Sequence, residues 1–250
     1  QLLCQKGTFI LKPNYHGSSN YGLGFVESIC CGHYYDYPVE DIQKGVDFLI
    51  AKGLVDPERI GSFGWSNGSI LSIAVSVADP DRYKAVAAGA GDVEFISDWA
   101  NVDFGQSFDS YYFGKSPLED PELYVRISPL FKMDRVKAPT IIFFGTEDRN
   151  VPTSQGWTHY RALYQLGKVP VKFCLFPGEP HGLQELTHQA RKLEEESAWF
   201  DRYFFKTMPP ENEAFKKDSP LGQALRCKGV SRAGAAFGVA GAFAVIGIVQ

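Results

Sequence analysis

The sequence contains no C-x-x-C pair, no H-E-x-x-H and no complete G-x-G-x-x-G, and each absence removes a class of chemistry. Five cysteines (Cys4, Cys30, Cys31, Cys174 and Cys227) are odd in number and scattered, which fits neither a dense disulfide scaffold nor a thiolate metal site. Adjacent Cys30 and Cys31 are poorly placed to bridge one another, and the count leaves cytoplasmic and periplasmic or secreted locations equally open. The histidines lack ligand spacing, and Tyr21-Gly22-Leu23-Gly24-Phe25 lacks the third glycine of a dinucleotide fingerprint, so neither a metal nor any other cofactor is expected. An excess of positive charge is missing too: 25 Lys and Arg stand against 29 Asp and Glu, a net charge of −4 that offers no footprint for a polyanion and excludes nucleic acid as an expected partner. No internal repeat is found. No initiator methionine or basic-then-apolar signal segment opens the chain, and Gln1-Leu2-Leu3-Cys4 reads as a start inside a fold.

What is present is a chain of 250 residues, 44% hydrophobic and 22% charged, which is enough to build one large packed α/β domain rather than a disordered segment. Strand-like runs at Thr8–Pro13, Arg59–Trp65, Ala85–Ala90, Thr140–Gly145 and Val171–Phe176 alternate with amphipathic stretches at Val39–Lys52, Gly68–Ala78, Ser154–Leu166 and Thr187–Phe205. Pro80, Pro139, Pro152 and Pro170 punctuate the boundaries. Such alternation predicts a mostly parallel sheet with helices on both faces. The catalytic-type domain is placed at 1–206, with 207–250 a linker and a glycine-rich apolar tail. Ala233 to Val249 carries no charge but is interrupted by four glycines. It reads either as a short membrane span with Arg226, Lys228 and Arg232 on its cytoplasmic side, or as a glycine-broken linker or the start of a further module.

Gly64-Trp65-Ser66-Asn67-Gly68 is a G-x-S-x-G run between a predicted strand and a predicted helix, the setting of a nucleophile elbow. A serine hydroxyl needs a positioned imidazole to take its proton and an acid to orient that imidazole. Strand Thr140–Gly145 ends in Thr146-Glu147-Asp148, where an acid past the C-terminal end of a parallel strand is well placed, and both Glu147 and Asp148 qualify. The next strand ends in Pro177-Gly178-Glu179-Pro180-His181-Gly182, which puts His181 on the following loop and completes the order serine, acid, histidine. His16, His33, His159 and His188 read as surface or structural residues.

Asn14-Tyr15-His16-Gly17-Ser18-Ser19-Asn20-Tyr21-Gly22 resembles the NYRGS-x-GYG run of the prolyl oligopeptidase family of serine peptidases, on its acylaminoacyl-peptidase and dipeptidyl-peptidase side. Further motifs follow in the family's order: Glu40-Asp41-Ile42 with Gly45-Val46-Asp47-Phe48-Leu49, Val55-Asp56-Pro57-Glu58-Arg59-Ile60, the elbow, Tyr83-Lys84-Ala85-Val86 with Gly89-Ala90-Gly91, Ser128-Pro129-Leu130, and Gly178-Glu179-Pro180-His181-Gly182. The resemblance spans about Gly7 to Phe205 and implies an α/β-hydrolase fold and a peptidase acting on small peptides. It further implies Ser66 as nucleophile, Asp148 as orienting acid, His181 as base, the Asn67 N–H as oxyanion donor, and Tyr111, Tyr112 and Val151 as substrate-pocket candidates. It also implies an upstream β-propeller and an upstream loop carrying a second oxyanion donor. Asn67 and His16 depart from the tyrosine and arginine common in the family, but the donor is a backbone N–H that asparagine also carries, so Asn67 can still serve the oxyanion hole. An esterase on the same fold, and a silent hydrolase-fold binding module, are the competing readings.

Overall fold

A computed structural model of the chain describes residues 2–208, so the expected linker and tail lie almost wholly outside the described residues. Short helices α1 (Leu2–Gln5) and α2 (Leu23–Glu27) precede α3 (Asp36–Ala51). Then follow β1 (Ile60–Trp65), α4 (Asn67–Ala78), β2 (Tyr83–Gly89), α5 (Phe95–Asn101), α6 (Gly105–Tyr112), α7 (Pro121–Ile127), a 3-10 helix (Pro129–Arg135), β3 (Thr140–Gly145), α8 (Thr153–Leu166), β4 (Val171–Phe176) and α9 (Leu186–Tyr203). The four strands form one parallel sheet in the order β1-β2-β3-β4.

Burial on both faces explains why β2 and β3 are apolar at nearly every position rather than at alternate ones. On one face Val86 and Ala88 pack with Ile73, Val75 and Val77 of α4, while Ile142 and Phe144, one strand further on, meet Phe173 of β4 and Trp157 of α8. On the other face Ala85, Ala87, Ile141 and Phe143 pack against Trp199 and Phe200 of α9. A sheet built strand by strand in sequence order, with crossovers of one hand, puts α4 and α8 on the same side. The opposite face is then left to the closing helix.

Thr8–Pro13 is not a strand. It has the right residues, but a strand needs a ladder partner, and among the described residues β1 pairs only with β2. The segment instead runs irregularly past α3, leaving Phe9 55% exposed and setting Leu11 against Gly45. The outer edge of β1 opens onto an apolar groove lined by Phe9, Leu11, Leu49, Val55, Phe63 and Phe200. Phe95–Ile127, for which the sequence predicted no elements, holds three helices of seven or eight residues. Runs that short scarcely complete two turns, so side-chain caps define two of them better than periodicity does. Glu94 accepts from the N–H groups of Ile96 and Ser97, and Asp120 accepts from Leu123 ahead of Pro121. No helix among the described residues is long and apolar enough to cross a membrane.

Candidate active site

Ser66 sits between the last residue of β1 and the first of α4 with φ 56° and ψ −126°, a positive φ that a non-glycine residue adopts only when its surroundings enforce it. The turn is held by Ser66 N–H donating to Gly89 O at 2.8 Å and by the Ser66 carbonyl accepting from Ser69 and Ile70. Glycine is required at 64 because a Cβ there would lie 2.2 Å from the backbone of Gly68. A Cβ on Gly68 would meet nothing, so the crowding that selects glycine acts at the strand side of the elbow alone. The N–H groups of Asn67 and Gly68 open α4 and have no helical carbonyl to bond, which leaves donors beside the Ser66 hydroxyl.

His181 Nε2 lies 2.7 Å from Ser66 Oγ, and its Nδ1 lies 2.9 and 3.1 Å from the two carboxylate oxygens of Asp148. Asp148 Oδ1 also accepts from the N–H groups of Asn150 and Val151, so a carboxylate with no exposed side-chain surface has donors on every side. Glu147, one residue earlier, is exposed and joins the neighbouring loop through its backbone, donating to Glu179 O at 2.9 Å. Of the two acids the sequence left open, the imidazole therefore meets Asp148. A Cβ at Gly145 would lie 2.1 Å from Glu179 O, so glycine there allows the acid loop and the histidine loop to touch.

The histidine loop is pinned from both ends. Trp65 Nε1 donates to the carbonyl of His181 at 2.6 Å, tying the loop to the residue before the serine. Glu179, 1% exposed, accepts from Gln184 N–H, Glu185 N–H and His188 Nδ1 at 2.6 to 2.9 Å. Burial alone would raise its pKa, but those donors outweigh it and hold the carboxyl below its ordinary value. His188 thus has the structural place expected of it, as has His16, whose Nδ1 lies 2.6 Å from Asp41. His159 is buried in α8, where loss of solvent lowers its pKa to about 3 and keeps it neutral.

The expected pocket residues part company. Tyr111 and Tyr112 meet edge to face, with ring centroids 5.0 Å apart, but differ in what else they touch. Tyr111 is 45% exposed, whereas Tyr112 also packs at a tilt against Phe108, four residues back, at 4.6 Å and edge-on against Tyr34 at 5.3 Å. The side chain of Val151 is buried among Ala90, Ile142, Phe144 and Phe173, and what it offers the site is its N–H to Asp148.

Two further groups escaped sequence reading. Tyr34 Oη donates to Asn67 Oδ1, and Asn67 Nδ2 donates to Tyr15 Oη, each at 2.7 Å. Asp92, Asp98 and Asp109 are all buried, and their oxygens include several with no hydrogen-bond partner. Burial, and then the charge of Asp98, holds Asp92 well above the usual carboxylate range; burial raises Asp98 to about 7 and Asp109 to about 8.

A parallel sheet with helices on both faces, carrying a serine in a strand-to-helix turn and an acid and a histidine after later strands, defines an α/β-hydrolase. Sequence similarity narrows the class: the model of the prolyl oligopeptidase family matches residues 1–207, and the chain belongs to that family. It is 31% identical over 199 residues to the acylamino-acid-releasing enzyme of Arabidopsis thaliana, covering 76% of this chain and 26% of that protein. Among solved structures it is similar to the acylaminoacyl peptidase of Pyrococcus horikoshii, with TM-score 0.71, 28% identity, and coverage of 76% of this chain and 31% of that one. An acylaminoacyl peptidase in complex with Z-Gly-Gly-Phe-chloromethyl ketone is similar to the same degree, with TM-score 0.70, 29% identity and coverage of 76% and 31%. The chain therefore spans between a quarter and a third of the length of these relatives.

Proposed function

We propose that this chain carries the catalytic groups of a serine peptidase that cleaves oligopeptides through an acyl-enzyme. Ser66 Oγ attacks the scissile carbonyl carbon while His181 Nε2 takes its proton, and Asp148 holds Nδ1–H and stabilises the imidazolium. The Asn67 N–H donates to the oxyanion. The tetrahedral intermediate collapses as the imidazolium passes its proton to the departing amine. Water, deprotonated by the same imidazole, then releases the acid and restores Ser66.

The observation that carries this reading is the unbroken run from Ser66 Oγ through both imidazole nitrogens to Asp148, at 2.7 and 2.9 Å. A peptide as substrate is supported by the acylaminoacyl peptidases to which the chain is similar. We assign the apolar wall beside the scissile bond to Phe108 and Tyr112, one ring away from the Tyr34 hydroxyl that meets Asn67. An upstream propeller that admits substrates by size is part of the proposal, on the strength of the resemblance to the prolyl oligopeptidase family.

The test is a fluorophosphonate probe with mass-spectrometric site mapping on the full-length protein, followed by turnover of matched peptide amide and ester substrates. Labelling at Ser66, its loss in Ser66→Ala, and amide turnover are expected. Absence of labelling would overturn the reading in favour of a silent binding module. Labelling with ester turnover alone would move it to an esterase of the same fold.

A further inference from the structure

We propose that Tyr15 and Tyr34 are positioning residues that clamp the side chain of Asn67 and thereby aim its backbone N–H at the oxyanion, an inference that rests on the peptidase reading above. Asn67 is the first residue of α4 and follows directly on the strained Ser66. At this position the backbone has lost the strand ladder and has not yet gained a helical hydrogen bond for its N–H. The direction of that N–H is therefore set by whatever fixes the residue otherwise. The amide of Asn67 is held at both ends, its Oδ1 accepting from Tyr34 and its Nδ2 donating to Tyr15, both at 2.7 Å.

The two hydroxyls belong to differently held rings. Tyr34 is 5% exposed inside a cage of five aromatic rings, those of Tyr35, Phe95, Phe108, Tyr112 and Phe113, with centroids 5.3 to 6.2 Å away. Packed rings of this kind leave the hydroxyl no alternative rotamer. Tyr15 is half-buried and comes from the segment before α2, remote in sequence from both the elbow and the aromatic cage. A donor aimed in advance gains over a mobile one because no reorganisation is needed when charge develops on the oxygen. The same cage contains Phe108 and Tyr112, so the clamp also ties the proposed substrate wall to the oxyanion donor.

The experiment uses the full-length protein with Tyr34→Phe, Tyr15→Phe, Asn67→Ala and the double variant Tyr34→Phe/Asn67→Ala. Each is measured for kcat and KM on a peptide amide, for thermal midpoint, and for affinity toward a peptide aldehyde, whose hemiacetal oxygen on Ser66 occupies the oxyanion position. Loss of a whole oxyanion donor costs about 10²–10³ in turnover, so misaiming one is expected to cost about tenfold to a hundredfold. The clamp predicts that Tyr34→Phe and Asn67→Ala each lower kcat by that factor while KM stays within twofold. Aldehyde affinity should fall in parallel with kcat/KM, and the double variant should be no worse than the poorer single one. A role confined to packing would lower the thermal midpoint and leave the aldehyde-to-substrate affinity ratio unchanged. That result, kcat within twofold of wild type, or additive losses in the double variant would overturn the proposal. If Tyr34→Phe does not fold, Tyr15→Phe decides, since its ring lies outside the cage. Failure of wild type to label at Ser66 would instead remove the peptidase reading, and the clamp with it.

Discussion

Asp148 and the trio Asp92, Asp98 and Asp109 are all buried aspartates, yet they stand in opposite electrical situations. Asp148 ends a strand, and its oxygens are surrounded by the His181 ring and two backbone N–H groups supplied by its own loop. The trio lies in the long crossing between β2 and β3, among aromatic rings, with unpartnered oxygens and with raised pKa values. Burial in both places removes water; the difference is whether the fold supplies donors in its stead. Where donors are supplied, the carboxyl group is held in place beside an imidazole. Where they are not, the carboxyl keeps its proton near neutral pH and behaves as a neutral polar filler.

The comparison can be broken most severely at Asp148. Asp148→Asn keeps an acceptor for Asn150 and Val151 but presents an amide to the imidazole, which favours the wrong tautomer; kcat on a peptide amide should fall by about 10⁴. The matching change Glu147→Gln should leave kcat within about threefold, since that side chain is exposed and does not meet His181. Comparable losses in steady-state kinetics of the two variants would sink the assignment of roles between neighbouring acids.

Glu179→Gln is expected to lower stability by about 2 kcal/mol, because a neutral amide replaces an acceptor held by three donors. Its folded pKa lies below the ordinary value, so its contribution is complete above that value and fades as pH falls through the folded one. Acid titration of the thermal midpoint should accordingly be shallower in the variant.

Asp98→Asn should act in the opposite sense. Because Asp98 is raised to about 7 in the fold against about 3.9 in an unfolded chain, its penalty grows as pH rises from about 4 to about 7. Removing the charge should therefore raise stability at pH 7–8 relative to wild type and leave it unchanged near pH 4. A variant more destabilised at pH 7–8 than near pH 4 would show that Asp98 is ionised and satisfied, and the contrast with Asp148 would fail. The smallest effect belongs to Tyr111→Phe: the ring is 45% exposed and its edge-to-face contact with Tyr112 survives loss of the hydroxyl, so kcat/KM should stay within about twofold.

The legible and illegible parts of the molecule divide by the range of the signal. Strands β3 and β4 and the span of α4 follow closely from local runs and their flanking prolines or glycines, because burial on both faces writes itself into every residue of a strand. The same logic failed for Thr8–Pro13, where the local signal was sound but a strand also needs a partner. It failed again across Phe95–Ile127, where helices of two turns carry too few residues to show a period and are set by the caps Glu94 and Asp120.

By itself the sequence determined a parallel α/β sheet, a strained serine between a strand and a helix, and an acid and a histidine each placed just past a strand. These are local consequences of patterning and of glycine where backbone crowds backbone. The family resemblance already favoured Asp148 over Glu147, and the tertiary structure supplied the contact itself; only the tertiary structure decided that Tyr112 packs against Phe108 and Tyr34 while Tyr111, edge to face with it, stays half exposed. It also decided that Asn67 is gripped by two tyrosines 52 and 33 residues away. Those outcomes depend on which side chains several separate loops bring within 3 Å of one another. A hydrogen bond is decided over a few tenths of an ångström, and no spacing along the chain specifies distance that finely.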